Sequence, residues 1–153
     1  MLAIDQIIQY CINAFHNRRL GRHIGEHLDD VLGGVHSVSF TVGAEATNVI
    51  TVNCQAKDER GVDVAQVSAI KLYVLADAAG AAFNTTNYTT IAAGTDGALI
   101  ETVADKILEC LTEPDGDLDV AITLSSGGAT CYLAAVGPTG KIIGVSDAIT
   151  HAA

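Results

Sequence analysis

At Gly33-Gly34 the chain changes its hydrophobic period, and that switch bounds what it can fold into. Before it, Ile4, Ile7, Ile8, Cys11, Ile12 and Phe15 recur at i, i+3, i+4, i+7, i+8 and i+11, one stripe of an amphipathic helix. A second helical run, Leu20 to Leu32, carries Ile24, Leu28, Val31 and Leu32. Gly21 and Gly25 weaken it, so a break is expected near Arg19 to Gly21. Gly33-Gly34 then supplies the stop that glycine gives just beyond a helix. The first 34 residues therefore read as a helical arm, and 35–153 as a separate domain.

After Gly34 the period is two. Val38, Phe40 and Val42 alternate with Ser37, Ser39 and Thr41, and 49–57 forms a longer alternating run. Further strands are expected at 70–76, 99–103, 107–112, 118–124, 130–136 and 141–148. Turn phrases separate them: Asp58-Glu-Arg-Gly61, Asp77-Ala-Ala-Gly80, Gly94-Thr-Asp-Gly97, Glu113-Pro-Asp-Gly116, Ser125-Ser-Gly-Gly128 and Gly137-Pro-Thr-Gly140. Short strands with closely spaced turn signals predict a mainly β domain, an antiparallel sandwich or barrel. Hairpin connections leave no room for the crossovers of a parallel sheet. The inward set is expected to include Ile50, Val52, Cys54, Leu72, Val74, Leu118, Val120, Ile122 and Leu124.

Composition narrows the function. The 153 residues are 49% hydrophobic but only 5% aromatic, so the core must be aliphatic. The charge is −10, which argues against a nucleic-acid backbone as partner. It is also uneven. Residues 1–34 hold three bases against four acids, whereas 35–153 hold five bases against fourteen acids, a net −9. No apolar run is long enough to span a membrane, and the start lacks the basic region of a signal peptide. A soluble, non-secreted chain is the expectation.

Chemistry is hard to find. The four cysteines, at 11, 54, 110 and 131, form no close pair, and those at 54, 110 and 131 are expected as buried thiols. A Cys54–Cys110 bridge between facing sheets is the alternative. His16, His23 and His27 lie in the arm, the latter two at i and i+4, yet no His-Glu-x-x-His pattern accompanies them, and a third ligand would have to come from Asp29, Asp30 or a partner chain. Solvated or interface histidines explain them more simply. The acidic phrase Glu113 to Asp119 fails the spacing of a helix–loop–helix calcium site, since Val120 and Ser126 fall where Gly and an acid are required. It reads as a β-turn, with Asp117 and Asp119 outward. Ser125 lies in no nucleophile elbow, and no phosphate-binding loop is present. Asn84 and Asn87 match the glycosylation pattern but read as a polar loop. No catalytic residue, metal site or cofactor is expected; the chain is not expected to be an enzyme.

From Cys54 onward the sequence resembles a family. The phrases Gln55-Ala-Lys-Asp58-Glu-Arg-Gly61, Leu72-Tyr-Val-Leu-Ala-Asp77-Ala-Ala-Gly80, Gly94-Thr-Asp-Gly-Ala-Leu-Ile100, Glu113-Pro-Asp-Gly-Asp-Leu-Asp-Val-Ala-Ile-Thr123 and Tyr132 to Gly140 are similar to those of small structural proteins of tailed bacteriophages, of the head-decoration and head-fibre type. The resemblance covers about 48–150 and rests on turns and hydrophobic rhythm. It implies an immunoglobulin-like β-sandwich on the capsid surface of a virion, made in the host cytoplasm and attached to the major capsid protein or another virion protein. It implies no catalytic residue. A receptor- or carbohydrate-binding module of a tail or fibre, using the loop at Asn84 to Tyr88, is the competing reading; no Trp supports it. The stripe of Ile4, Ile7, Ile8, Cys11, Ile12 and Phe15 is the candidate assembly interface, either across a sheet of its own chain or on another subunit. An isolated helix of this length is marginal in water, so the stripe must be buried somewhere. A homo-oligomer, favoured as a trimer, is the expectation.

Overall fold

A computed structural model describes residues 34–153. The chain there is mainly β and antiparallel. Ten strands form: β1 (Ser37–Val42), β2 (Val49–Lys57), β3 (Ala69–Leu75), β4 (Thr90–Ala93), β5 (Ala98–Val103), β6 (Ile107–Leu111), β7 (Asp117–Thr123), β8 (Ala129–Val136), β9 (Ile142–Val145) and β10 (Ile149–His151). Sheet A has the order β1-β2-β7-β4. Sheet B has the order β10-β8-β3-β6-β5, with β9 also paired to β8. The helical arm expected over 1–34 lies outside the described residues, apart from Gly34 at its end.

The two sheets close on one core. All nine residues expected inward are buried, and Val52, Cys54, Leu72, Val74, Leu118, Val120 and Ile122 are fully so. Register explains why they meet. Ile122 stands opposite Ile50 on one side and Ile91 on the other, while Val120 stands opposite Val52 and Leu118 opposite Cys54. In sheet B, Leu72 is flanked by Leu108 and Ala135. Period-two alternation puts one apolar row per strand on this inner side.

Two expectations on elements are corrected. β4 falls where only a loop was expected, because its four residues offer a single large inward side chain, Ile91, after a run of threonines. The strand expected over 141–148 forms only over Ile142–Val145, and a further strand, Ile149–His151, follows beyond the expected range. β9 and β10 pair with opposite ends of β8, and the break at Ser146 is held by bonds that replace the ladder. The Ser146 amide donates to the Leu133 carbonyl, and the Leu133 amide donates to Ser146 Oγ.

Connections are tight and locally encoded. Thr47 and Asn48 both take positive φ, 51° and 65°, inside a two-residue hairpin closed by reciprocal Ala46–Val49 bonds. That pair of angles is the mirror-image turn whose twist matches the flanking strands. Gly116 has φ +83° and lies against the Val64 carbonyl, leaving no space for a Cβ. Gly144 on β9 is equally constrained by the Val38 carbonyl, so a side chain there would push the β1 and β9 edges of the two sheets apart.

Candidate functional site

The outward residues of the two sheets differ in kind. On sheet A they are mostly polar, Ser37, Ser39 and Thr41 from β1, Thr51, Asn53 and Gln55 from β2, and Asp117, Asp119 and Thr123 from β7, with Val49, Ala92 and Ala121 the small apolar exceptions. Several of the polar side chains bond to one another or to loops. Asn53 Nδ2 donates to Asp119 Oδ1 at 3.2 Å, Thr95 Oγ1 donates to Asp119 Oδ2 at 2.7 Å, and Gln55 Nε2 donates to the Asp115 carbonyl at 3.0 Å. Asp119 is thereby buried although it points outward.

Sheet B shows an apolar outer face. Cross-strand rows run Ala98–Leu111–Ala69, Ile100–Glu109–Lys71–Val136 and Val103–Ile107–Tyr73–Ala134. Ile100 is 70% exposed and Leu111 49%. The one charged pair within these rows, Lys71 Nζ to Glu109 Oε1 at 3.0 Å, neutralises itself. Phe83 packs edge-on against Tyr73, with ring centroids 5.1 Å apart, and extends the apolar surface. Lys71, Tyr73, Glu109, Val136 and Pro138 line a shallow cleft of about 290 Å3 on this face.

Elsewhere, polar side chains close the fold. Asp58 accepts from the amides of Arg60 and Val62 and from the Arg60 guanidinium, and these contacts hold its carboxyl below the usual range, the guanidinium bond first. Asp77 organises the β3–β4 connection by accepting from Ala79 and Ala81. Asn84 is buried and donates to the Thr86 carbonyl at 2.7 Å, while the Tyr88 amide donates to Asp105. The loop named for carbohydrate recognition therefore turns Asn84 and Tyr88 inward.

The acidic phrase is a turn, as expected. The Gly116 amide donates to the Glu113 carbonyl, and Asp117 and Asp119 project from the outer side of sheet A. Asp117 is raised above the usual carboxylate range by burial first, then by the neighbouring carboxylates of Asp115 and Asp96. Among the described residues, no group of His, Cys, Asp and Glu is assembled to hold a metal.

Cys54, Cys110 and Cys131 are free and buried, so the Cys54–Cys110 bridge is not made. Burial raises all three thiols, Cys110 to about 12; the neighbouring Cys110 adds to the rise at Cys54. A thiol held neutral is a poor nucleophile.

Sequence reasoning missed a second polar grouping. His151 is fully buried at the end of β10, with Nδ1 3.4 Å from Glu45 Oε1, and Glu45 Oε2 accepts from the Ala152 amide. Its ring lies 5.9 Å from that of Tyr88. His151 Nε2 is buried without a hydrogen-bond partner, and the Tyr88 hydroxyl is buried with only the weakly bonding Cys131 thiol beside it. Only the apolar neighbours of His151, Ile149 above all, signalled an inward position there.

The assembly stripe, Ile4, Ile7, Ile8, Cys11, Ile12 and Phe15, and the three arm histidines lie outside the described residues. No protein-family model matches the sequence, and no curated protein matches it at a significant level.

Proposed function

We propose that this chain is a structural component of a bacteriophage particle, a head-decoration or head-fibre protein attached to the major capsid protein or another virion protein at the capsid surface. The observation that carries this reading is how its polar chemistry is used. Asp58, Asp77, Asn84, Asp105, Asp119 and Ser146 each tie a loop or strand break to the framework. The thiols are sealed in the core. What the domain offers outward is sheet surface suited to packing, foremost the outer face of sheet A.

The strand order supports an immunoglobulin-like sandwich within this reading. β1, β2, β7 and β4 follow the order A, B, E and D, while β9 with β10, then β8 and β3, follow G, F and C. The β5–β6 hairpin extends the second sheet beyond β3. The phrases that carry the phage resemblance fall about equally on strands of this framework and on the turns that join them, among them Gly94 to Gly97, Glu113 to Gly116 and Gly137 to Gly140.

The test is incorporation. A tagged copy, supplied during infection by the phage whose genome encodes the sequence, is expected to travel with full heads through a density gradient at a fixed number per head. Recovery only in the soluble fraction of the lysate overturns the reading. A fixed number at the tail tip, seen by labelled electron microscopy, transfers it to the tail.

A further inference from the structure

We propose that the apolar outer face of sheet B is covered by residues 4–15 of the same chain, with the stripe of Ile4, Ile7, Ile8, Cys11, Ile12 and Phe15 lying across β3, β6 and β5. The inference concerns the isolated chain and stands apart from any particle.

Two apolar surfaces need partners, and the position of Gly34 brings them together. On the domain, Ile100, Leu111, Val103 and Phe83 are 70%, 49%, 44% and 40% exposed, while sheet A presents hydroxyls, amides and carboxylates. The Lys71–Glu109 ion pair interrupts these side chains on β3 and β6, but its charges neutralise each other, and exposed apolar surface on both sides of it marks a contact surface. On the sequence, the stripe is the longest amphipathic pattern in the chain.

Residues 1–33 join the domain just before β1, at an end of the sandwich that borders this face. Gly34 and Val35 line a cleft of about 320 Å3 together with Ala69, Val136 and Pro138, at one end of β3 and β8, the central strands of sheet B. Ala69 pairs with Leu111, and Leu111 with Ala98. At about 4.8 Å per strand, the point of attachment is about 10 Å from the exposed ridge. Residues 16–33 separate the stripe from Gly34, and such a length reaches about 60 Å extended or about 27 Å as helix. A helix over 4–15 would be about 18 Å long, enough to cross the three strands β3, β6 and β5.

Two physical terms favour the chain's own face over a neighbour's. A short tether gives the stripe a millimolar effective concentration at that face. Separate copies each carry −10 and repel one another, which disfavours exchange between them.

The experiment uses the full chain with a benzophenone amino acid in place of Leu111. Irradiation at micromolar concentration is expected to give a monomer-sized product in which position 111 is joined to the tryptic peptide ending at Arg18, in a yield independent of concentration. In an I8D/I12D background that product is expected to vanish, and the fluorescence of an added apolar dye to rise several-fold, with the β circular dichroism unchanged. A dimer-sized product through residues 4–15 overturns the proposal in favour of exchange between copies. A dimer through any other segment, or no protein–protein product, also overturns it.

Discussion

Ile122 shows what a single buried side chain does in this fold. It is fully buried, between Ile50 on β2 and Ile91 on β4. Ile122→Ala leaves a cavity across three strands and is expected to cost about 2–4 kcal/mol, read as a lower urea midpoint at unchanged slope. Thr123, the next residue, points outward, and Thr123→Ala is expected to cost under about 0.5 kcal/mol. Equal losses at the two positions would mean that the alternation is not what sorts these residues. Tyr88 poses the opposite case. Its hydroxyl is buried with only the weakly bonding Cys131 thiol beside it, and a poorly satisfied buried polar group costs about 1–3 kcal/mol. Tyr88→Phe keeps the ring against His151 and removes that cost, so stability is expected to hold or rise. A clear fall would show that a buried water links the hydroxyl to His151 Nε2.

At the scale of elements, two carboxylates give acid sensitivity of opposite sign. Asp58 holds the β2–β3 connection, and its bonds to Arg60 and to the Val62 amide lower its folded value below the ordinary 3.8. The stabilisation is complete above 3.8 and is lost as pH falls through that lowered value. Asp117 is raised by burial and by Asp115 and Asp96. Its charge therefore opposes folding above its raised value, and the opposition is gone below 3.8. Asp117→Asn is expected to stabilise the protein at pH 7, with the gain fading toward pH 3 in a series of urea melts. Asp58→Asn is expected to destabilise at pH 7, with the deficit shrinking over the same range. The same elements show what the sequence makes legible. β2, β3 and β7 could be read because each places at least three apolar residues on one side of a half-buried strand. β4 could not, since one isoleucine carries its inward face and its pairing to β7 is a tertiary fact. The polar face of sheet A follows directly from the alternating residues. The apolar face of sheet B does not, because Ile100 and Leu111 look like core residues until the register turns them outward.

For the whole molecule, the question is whether two sheets with unlike outer faces unfold as one. The main core cluster draws on both sheets, with Val64, Tyr88 and Leu124 added from the connections. Separating the sheets would expose both inner faces at once, so a partly opened state gains chain entropy at the full apolar cost. The thiols sit where they report this. Cys54 lies in sheet A, while Cys110 and Cys131 lie in sheet B, and all three are buried. Burial suppresses their thiolates, so reaction with a disulfide reagent requires opening. In a C11S variant of the full chain, all three are expected to stay unlabelled in buffer and to react together as urea approaches the midpoint. The labelling of each, followed by peptide mass, should track the loss of β circular dichroism. If Cys110 and Cys131 react well before Cys54, sheet B opens by itself and the core is not one cooperative unit.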